Sequence, residues 1–279
     1  MRLIINPSAK SDSFVVLFQN LKTFTDSLNI RFTEEGLSIQ TMDNSHVSVV
    51  ELQIPATWFS EYECSENLTL GIHVGILAKI LASKDKSQIL TIVYNGENNS
   101  DNLEIHFTSS TIVEAITIDK EVNKKTKITD VKIYDTHFEI PLVDIESDQI
   151  EIPPIEYAAE FSLSSINFSN IVSQLKLFGD TMDIECSEEK IILYSRGVEN
   201  GKMSVEIDID DLTEFSINEG EQLCLSFALN YLHNICAFHK LAKEIELKVC
   251  NEYPLCASYS LGDNAKLRFY LAPKISETE

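Results

Sequence analysis

Basic residues are scarce in this 279-residue sequence: 22 Lys and Arg stand against 44 Asp and Glu, a formal net charge of -22. An outer surface of that sign repels phosphates, so any nucleic-acid contact is confined to a local basic patch. Glycine is scarce too, at 9 residues, and no GxxxxGK[ST] loop, GxGxxG turn, HExxH pair or GxSxG elbow occurs. The common phosphate cradles, the zinc-protease pair and the hydrolase nucleophile are thereby excluded. Six cysteines, Cys64, Cys186, Cys224, Cys236, Cys250 and Cys256, form no CxxC pair and keep no zinc spacing with the histidines. They read as buried free thiols of a reducing compartment. His233 and His239 do not share a helix face, which removes a two-histidine metal site there. No apolar run approaches the length of a membrane helix, and the short one at the N-terminus is no signal peptide. The reading is an intracellular, soluble protein that is not an enzyme and needs no cofactor or metal.

What is present is organised about one stretch, 142–157, LVDIESDQIEIPPIEY. The Pro153-Pro154 pair forbids helix, and Ile150-Glu151-Ile152 alternates as an extended segment does. No Lys or Arg occurs from Ile133 through Leu175, so this acidic stretch stays solvated on one side and reads as a connector.

The chain on its two sides is the same pattern written twice. Phe14, Leu17, Phe18, Leu21 and Phe24 keep the spacing of one buried helix face, behind a Ser11-Asp12-Ser13 cluster suited to opening a helix. Phe168, Ile171, Val172, Leu175 and Phe178 repeat it. Lys22 is matched by Lys176, Asp26 by Asp180 and Ile30 by Ile184 in the same register. Strand character follows at about 36–40, 47–54, 58–63 and 67–72, and again at 190–195, 202–209 and 222–226. A second helix is predicted in each half, His73 to Lys84 and Phe227 to Lys240, before closing strands at about 88–94, 102–108, 244–250, 255–260 and 266–271. The expected fold is α+β, with two similar domains at 1–141 and 158–279, each of two helices backed by antiparallel sheet. Residues 110–130 have no counterpart in the second half, and their Lys124-Lys125-Thr126-Lys127 cluster reads as an exposed loop tip.

Gly36 to Leu52, GLSIQTMDNSHVSVVEL, closely resembles the signature region of the eukaryotic sliding clamp family, proliferating cell nuclear antigen. So do Asn67 to Gly71, Lys79-Ile80-Leu81, Ile152-Pro153, Phe227-Ala228-Leu229 with Tyr231-Leu232, and the ending Tyr270 to Ile275. These matches keep the family's order across nearly the whole chain. The resemblance implies a head-to-tail homotrimer, a closed ring that encircles duplex DNA without reading its sequence and serves as polymerase processivity factor. It implies partners that carry a short motif, a Gln followed by an aliphatic residue and two aromatics, among them DNA polymerase and the clamp loader. The nucleus, or a viral replication site, is the implied location. The subunit joint would pair a strand at about Tyr134 to Ile140 with one at about Lys202 to Asp208 of the next copy.

By the same resemblance, the partner peptide would rest on Met42, His46, Val47, Val49, Ile150, Ile152, Pro153, Pro254, Tyr270 and Ala272. Lys22 and Lys79 match DNA-facing lysines, and Lys176 is the repeat mate of Lys22. Val15, Val16, Ser173 and Asn230 stand where relatives are usually basic, so Lys10, Lys84 and Lys240 are added as candidates. Glu188 stands where the family's ubiquitin-accepting lysine is found, so that modification does not carry over. Together with the 110–130 insertion, these departures suggest a divergent or viral clamp. Two readings rival it: a subunit of a heterotrimeric or mixed clamp, and an acidic scaffold that binds proteins and never encircles DNA.

Overall fold

The computed structural model of the chain describes residues 1–43, 45–96, 101–109, 133–146 and 150–274. The 110–130 insertion and Ile275 lie outside the described residues. The first half runs β1 (Arg2–Ile5), α1 (Ala9–Leu21), β2 (Ser27–Thr33), β3 (Gly36–Met42), β4 (Ser48–Pro55), β5 (Glu61–Glu63), β6 (Leu68–His73), α2 (Val74–Ala82), β7 (Gln88–Val93), β8 (Asn102–Ser109) and β9 (Thr136–Pro141). The second repeats that order: β10 (Ala159–Ser164), α3 (Ser165–Leu175), β11 (Thr181–Cys186), β12 (Lys190–Gly197), β13 (Gly201–Asp208), β14 (Glu214–Ile217), β15 (Leu223–Ala228), α4 (Leu229–Cys236), β16 (Glu244–Val249), β17 (Leu255–Ser260) and β18 (Lys266–Leu271).

The apolar period of α1 buries Phe14, Leu17, Phe18 and Leu21, and that of α3 buries Phe168, Val172 and Leu175. A serine caps each helix: Ser8 Oγ accepts from Ser11 N, and Ser164 Oγ from Asn167 N. The first helix therefore opens a turn earlier than the Ser11-Asp12-Ser13 cluster suggests. The second helices begin on matched main-chain bonds, Val74 N to Asp26 O at 2.9 Å and Leu229 N to Asp180 O at 3.0 Å. α4 ends at Cys236 rather than near Lys240, because Ala237 N and Phe238 N turn back to the carbonyls three residues earlier. That tightening sends Phe238 into a cluster with Phe24 and Phe269, at centroid distances of 5.9 and 5.1 Å.

Residues 58–63, predicted as one strand, divide into a 3-10 turn, Ala56–Trp58, and β5. Trp58 is buried, and its Nε1 donates to Leu261 O at 3.1 Å, a contact across the repeat that local alternation does not encode. β14 has only four residues and leaves too short an alternation to read from sequence. Five of the six cysteines are buried and Cys224 is exposed; none is in a disulfide.

Among the described residues the strands form three antiparallel sheets, ordered β5-β1-β7-β8-β9, β14-β10-β16-β17-β18-β4-β3-β2-β6, and β13-β12-β11-β15. The nine-stranded sheet crosses from one half to the other where β18 pairs with β4, Phe269 opposite Val50 and Tyr270 opposite Val49. Phe24, Phe238, Phe269 and Trp58 fill the seam with apolar surface, so the two cores merge into one. The helices form one row. α1 packs on α2 and α3 on α4, and Asn20 Nδ2 donates to Ala237 O just beyond α4 at 2.9 Å.

Candidate functional site

The connector runs onto the outer side of the first-half sheet. Val143 N donates to Gly71 O at 2.9 Å, and Asn29 Nδ2 donates to Ile145 O at 3.0 Å. Gln40 grips both polar groups of one peptide, accepting from Ile150 N at 2.8 Å and donating to Ile150 O at 2.9 Å. Gly71 is required by closeness, since a Cβ there would lie 2.1 Å from Val143 O. The tail after β18 takes the equivalent path, Lys274 N donating to Ser226 O at 2.7 Å.

Strand pairing sets Met42 opposite Val49 and Val49 opposite Tyr270, so three of the expected peptide-binding residues form one half-buried row across β3, β4 and β18. One step along the same face, Gln40, Glu51 and Arg268 form a polar row, with Arg268 Nη1 3.0 Å from Glu51 Oε2. The loop after β3 is built on Asp43. Its carboxylate accepts from the main chain of Ser45, Val47 and Ser48 and from Ser48 Oγ. Burial works against that charge, but the hydrogen bonds outweigh it and hold the carboxyl below the ordinary carboxylate value. His46 sits exposed at the tip with φ 58°, and Val47 O accepts from Ala272 N at 3.1 Å. Signature loop and C-terminal segment are thus one unit.

Ile150, Ile152 and Pro254 are half-buried, while Pro153 and Ala272 are exposed. The cavity that the connector encloses, about 300 Å³, lies on the polar side of the apolar row and is lined by Asn29, Arg31, Gln40, Glu51, Thr69 and Ile145. Tyr157, the last residue of the connector, is not among the residues expected from the sequence. Its hydroxyl is buried with the weakly polar Cys256 thiol as its neighbour and lies near Tyr270. Burial raises the Tyr157 and Tyr270 hydroxyls alike above the ordinary phenol value. The aromatic at the connector's end was the available signal.

The candidate lysines gather on the helix row. Lys22 and Lys176 are the C-caps of α1 and α3, Lys79 lies in the last turn of α2, and Lys240 follows α4; all four are exposed. A cation at a helix C-terminus is stabilised by the helix dipole. Lys84 is half-buried, and desolvation lowers its pKa against the attraction of Asp12 and Asp85. Lys10 is already committed: its Nζ pairs with Asp263, donates to Trp58 O at 2.9 Å and lies over the Trp58 ring.

A row of four helices, three of them carrying a lysine at the C-terminal end, backed by sheets that join two repeats of one unit, defines a two-domain clamp. The N-terminal domain model of proliferating cell nuclear antigen matches residues 10–147, and its C-terminal domain model matches residues 151–274. A proliferating cell nuclear antigen of Chaetomium thermophilum is 30% identical over 263 residues, covering 93% of each chain. The chain belongs to the proliferating cell nuclear antigen family and is a DNA sliding clamp. Neither rival reading is favoured by these matches.

Proposed function

We propose that three copies close head to tail into a ring around duplex DNA, and that the β18–β4 seam inside each chain is the template for the joint between chains. β9 is the repeat counterpart of β18 but ends its sheet, and β13, the repeat counterpart of β4, ends another. Among the described residues β9 and β13 are each paired on one side only. Carrying the register of the seam onto these edges sets Phe138 opposite Met203 of the partner subunit and Glu139 opposite Lys202 of the partner subunit. Phe138 and Met203 are half-buried and lean on the core, whereas Glu139 and Lys202 are exposed. An apolar pair beneath and opposite charges above is what a strand joint requires. One edge of each kind makes the contact heterologous, and closure keeps the assembly finite.

The first domain then extends to residue 141, and 142–157 joins it to the second. The helix row faces the hole, and Lys22, Lys79, Lys176 and Lys240 attract the phosphates weakly and without regard to sequence, which permits sliding. Lys84 adds to this, and Lys10 holds the seam. The Met42, Val49 and Tyr270 row, flanked by His46, Val47, Ile150, Ile152, Pro153, Pro254 and Ala272, receives the aromatic anchors of the partner motif. Polymerase and clamp loader dock there, in the nucleus or at a viral replication site, and the chain itself performs no chemistry. The seam carries this reading, and light scattering on a sizing column tests it. Three times the 31.5 kDa chain mass is expected; a monomer at micromolar concentration, indifferent to salt, overturns the ring.

A further inference from the structure

Two histidines with no part in the sites above face each other on the outer side of β8 and β9. His106 and His137 are cross-strand neighbours, and one step along the same face Glu104 stands opposite Glu139. Alternation buries Leu103, Ile105 and Phe107, which leaves Glu104 and His106 on the other side together with His137 and Glu139. The result is a square of two imidazoles and two carboxylates. His106 Nδ1 lies 2.5 Å from His137 Nδ1, and His106 Nε2 lies 3.2 Å from Glu104 Oε2. An imidazole that donates Nε2–H to a carboxylate keeps its lone pair on Nδ1. With Nε2–H assigned to Glu104, His106 turns a lone pair toward His137, and the two close nitrogens have room for one proton between them.

We propose that this square binds a first-row divalent cation, zinc in the first place, through Nδ1 of His106 and Nδ1 of His137. Glu139 supplies a third donor and water the rest of the shell. The ion takes the place of the shared proton, which is released to solvent. Zinc holds imidazole nitrogens at about 2.0–2.1 Å, so two of them on a tetrahedral ion stand roughly 3.3 Å apart. Opening the present 2.5 Å contact to that spacing takes rotation about side-chain torsions and no movement of the strands. Glu104 becomes the carboxylate that orients a ligating histidine through its other nitrogen, a positioning residue rather than a ligand.

Among the described residues no three His, Cys, Asp or Glu groups converge on one point before the ion arrives. Glu139 is exposed and swings in from two residues beyond His137. A mixed imidazole and carboxylate set suits zinc, copper, nickel and cobalt over calcium and magnesium, which take oxygen alone. The net charge of -22 raises the local concentration of any cation. In the proposed ring Glu139 also faces Lys202 of the partner subunit, and that contact leaves both imidazoles in place.

The test uses the full chain stripped with chelator and titrated with Zn²⁺ in a calorimeter. One ion per chain with micromolar affinity is expected. His106→Gln and His137→Gln each weaken it by about tenfold or more, and Glu104→Gln weakens it by less. Cu²⁺ serves as a second probe, its electron paramagnetic resonance expected to show two coupled imidazole nitrogens in the wild type and one in either histidine variant. Unchanged melting of the metal-free variants confirms that only ligands were removed; if a variant melts early, the wild-type nitrogen count decides. Millimolar affinity, histidine variants that both bind as tightly as the wild type, or a single coupled nitrogen in the wild type overturns the site. The variants tested touch only His106, His137 and Glu104, none of which the ring joint uses, so their outcome is separate from that of the ring.

Discussion

The side chain of Asn20 donates to the main-chain oxygen of Ala237 at 2.9 Å, tying the end of the first helix to the turn after the last across 217 residues of chain. The bond fixes the spacing of the helix row at its middle, where Phe24, Phe238 and Phe269 meet beneath it. Asn20→Ala leaves Ala237 O without this donor at a half-buried position and is expected to destabilise the chain by about 1 kcal/mol. Urea unfolding followed at two wavelengths checks it, and an unchanged midpoint would reduce the contact to a surface bond of no consequence.

Much of the fold was legible because it rests on local periodicity. The apolar spacing from Phe14 to Phe24 and from Phe168 to Phe178 places α1 and α3, whereas the bonds by which the repeat-matched Asp26 and Asp180 start α2 and α4 appear only in the structure. Those two residues act through main-chain carbonyls, so the shared carboxylate has no structural explanation. The β18–β4 pairing was not legible, since alternation says which face a strand buries and not which strand lies beside it. Gln40 was hidden for a similar reason. A polar residue on an outer face reads as solvated, and its two bonds to Ile150 appear only when the connector is laid over it.

Asp43 gives the signature loop a pH dependence. Its folded pKa lies below the ordinary value of 3.8, so the unfolded chain takes up the proton first as pH falls. The stabilisation is complete above that ordinary value and is lost as pH drops through the lowered folded value. Asp43→Ala removes the acceptor for three amides and a hydroxyl and is expected to cost about 2 kcal/mol. Amide exchange at Ser48 and Val47 reports it: both should be protected at pH 6 and open in the variant, and equal protection in the two proteins argues that the loop holds without its carboxylate.

At the proposed joint, Glu139 and Lys202 of the partner subunit carry opposite charge on exposed sides of two edge strands. Glu139→Lys sets two cations opposite each other and is expected to shift the ring toward monomer, and Lys202→Glu does the same with two anions. The double exchange restores the pair with its sense reversed. Sizing at one protein concentration distinguishes the cases, and a double variant as dissociated as the single ones would show that these residues do not meet.

The lysines at the helix ends are tested together, because a single exposed charge contributes little. Replacing Lys22, Lys79 and Lys176 with Glu changes the charge of the proposed inner face by six units per chain. Retention on nicked circular DNA and polymerase stimulation should fall several-fold and become less salt-dependent, while the ring mass is unchanged. Normal loading and stimulation by this variant would place the DNA path on another surface.

The connector offers the sharpest separation between a linker and a binding surface. Gln40 holds Ile150 by its main chain, so truncating the side chain leaves the segment anchored where it is. Ile150 and Ile152 point to one side of an extended segment and Glu151 to the other, and both isoleucines are half-buried while Glu151 is exposed. That burial is the flank a partner's aromatic anchors would lean on, beside the row of Met42, Val49 and Tyr270. Ile150→Ala with Ile152→Ala is expected to weaken a motif peptide by at least about 2 kcal/mol, roughly thirtyfold, as loss of buried aliphatic contacts at a binding hot spot does. The ring should persist, since neither residue lies on β9 or β13. Calorimetric titration of one peptide against both proteins decides the matter, with Gln40→Ala as companion: it frees the segment and should weaken binding while every apolar contact residue remains. Equal affinity in the isoleucine variant, or dissociation of the ring along with the loss of affinity, returns the segment to the status of a linker.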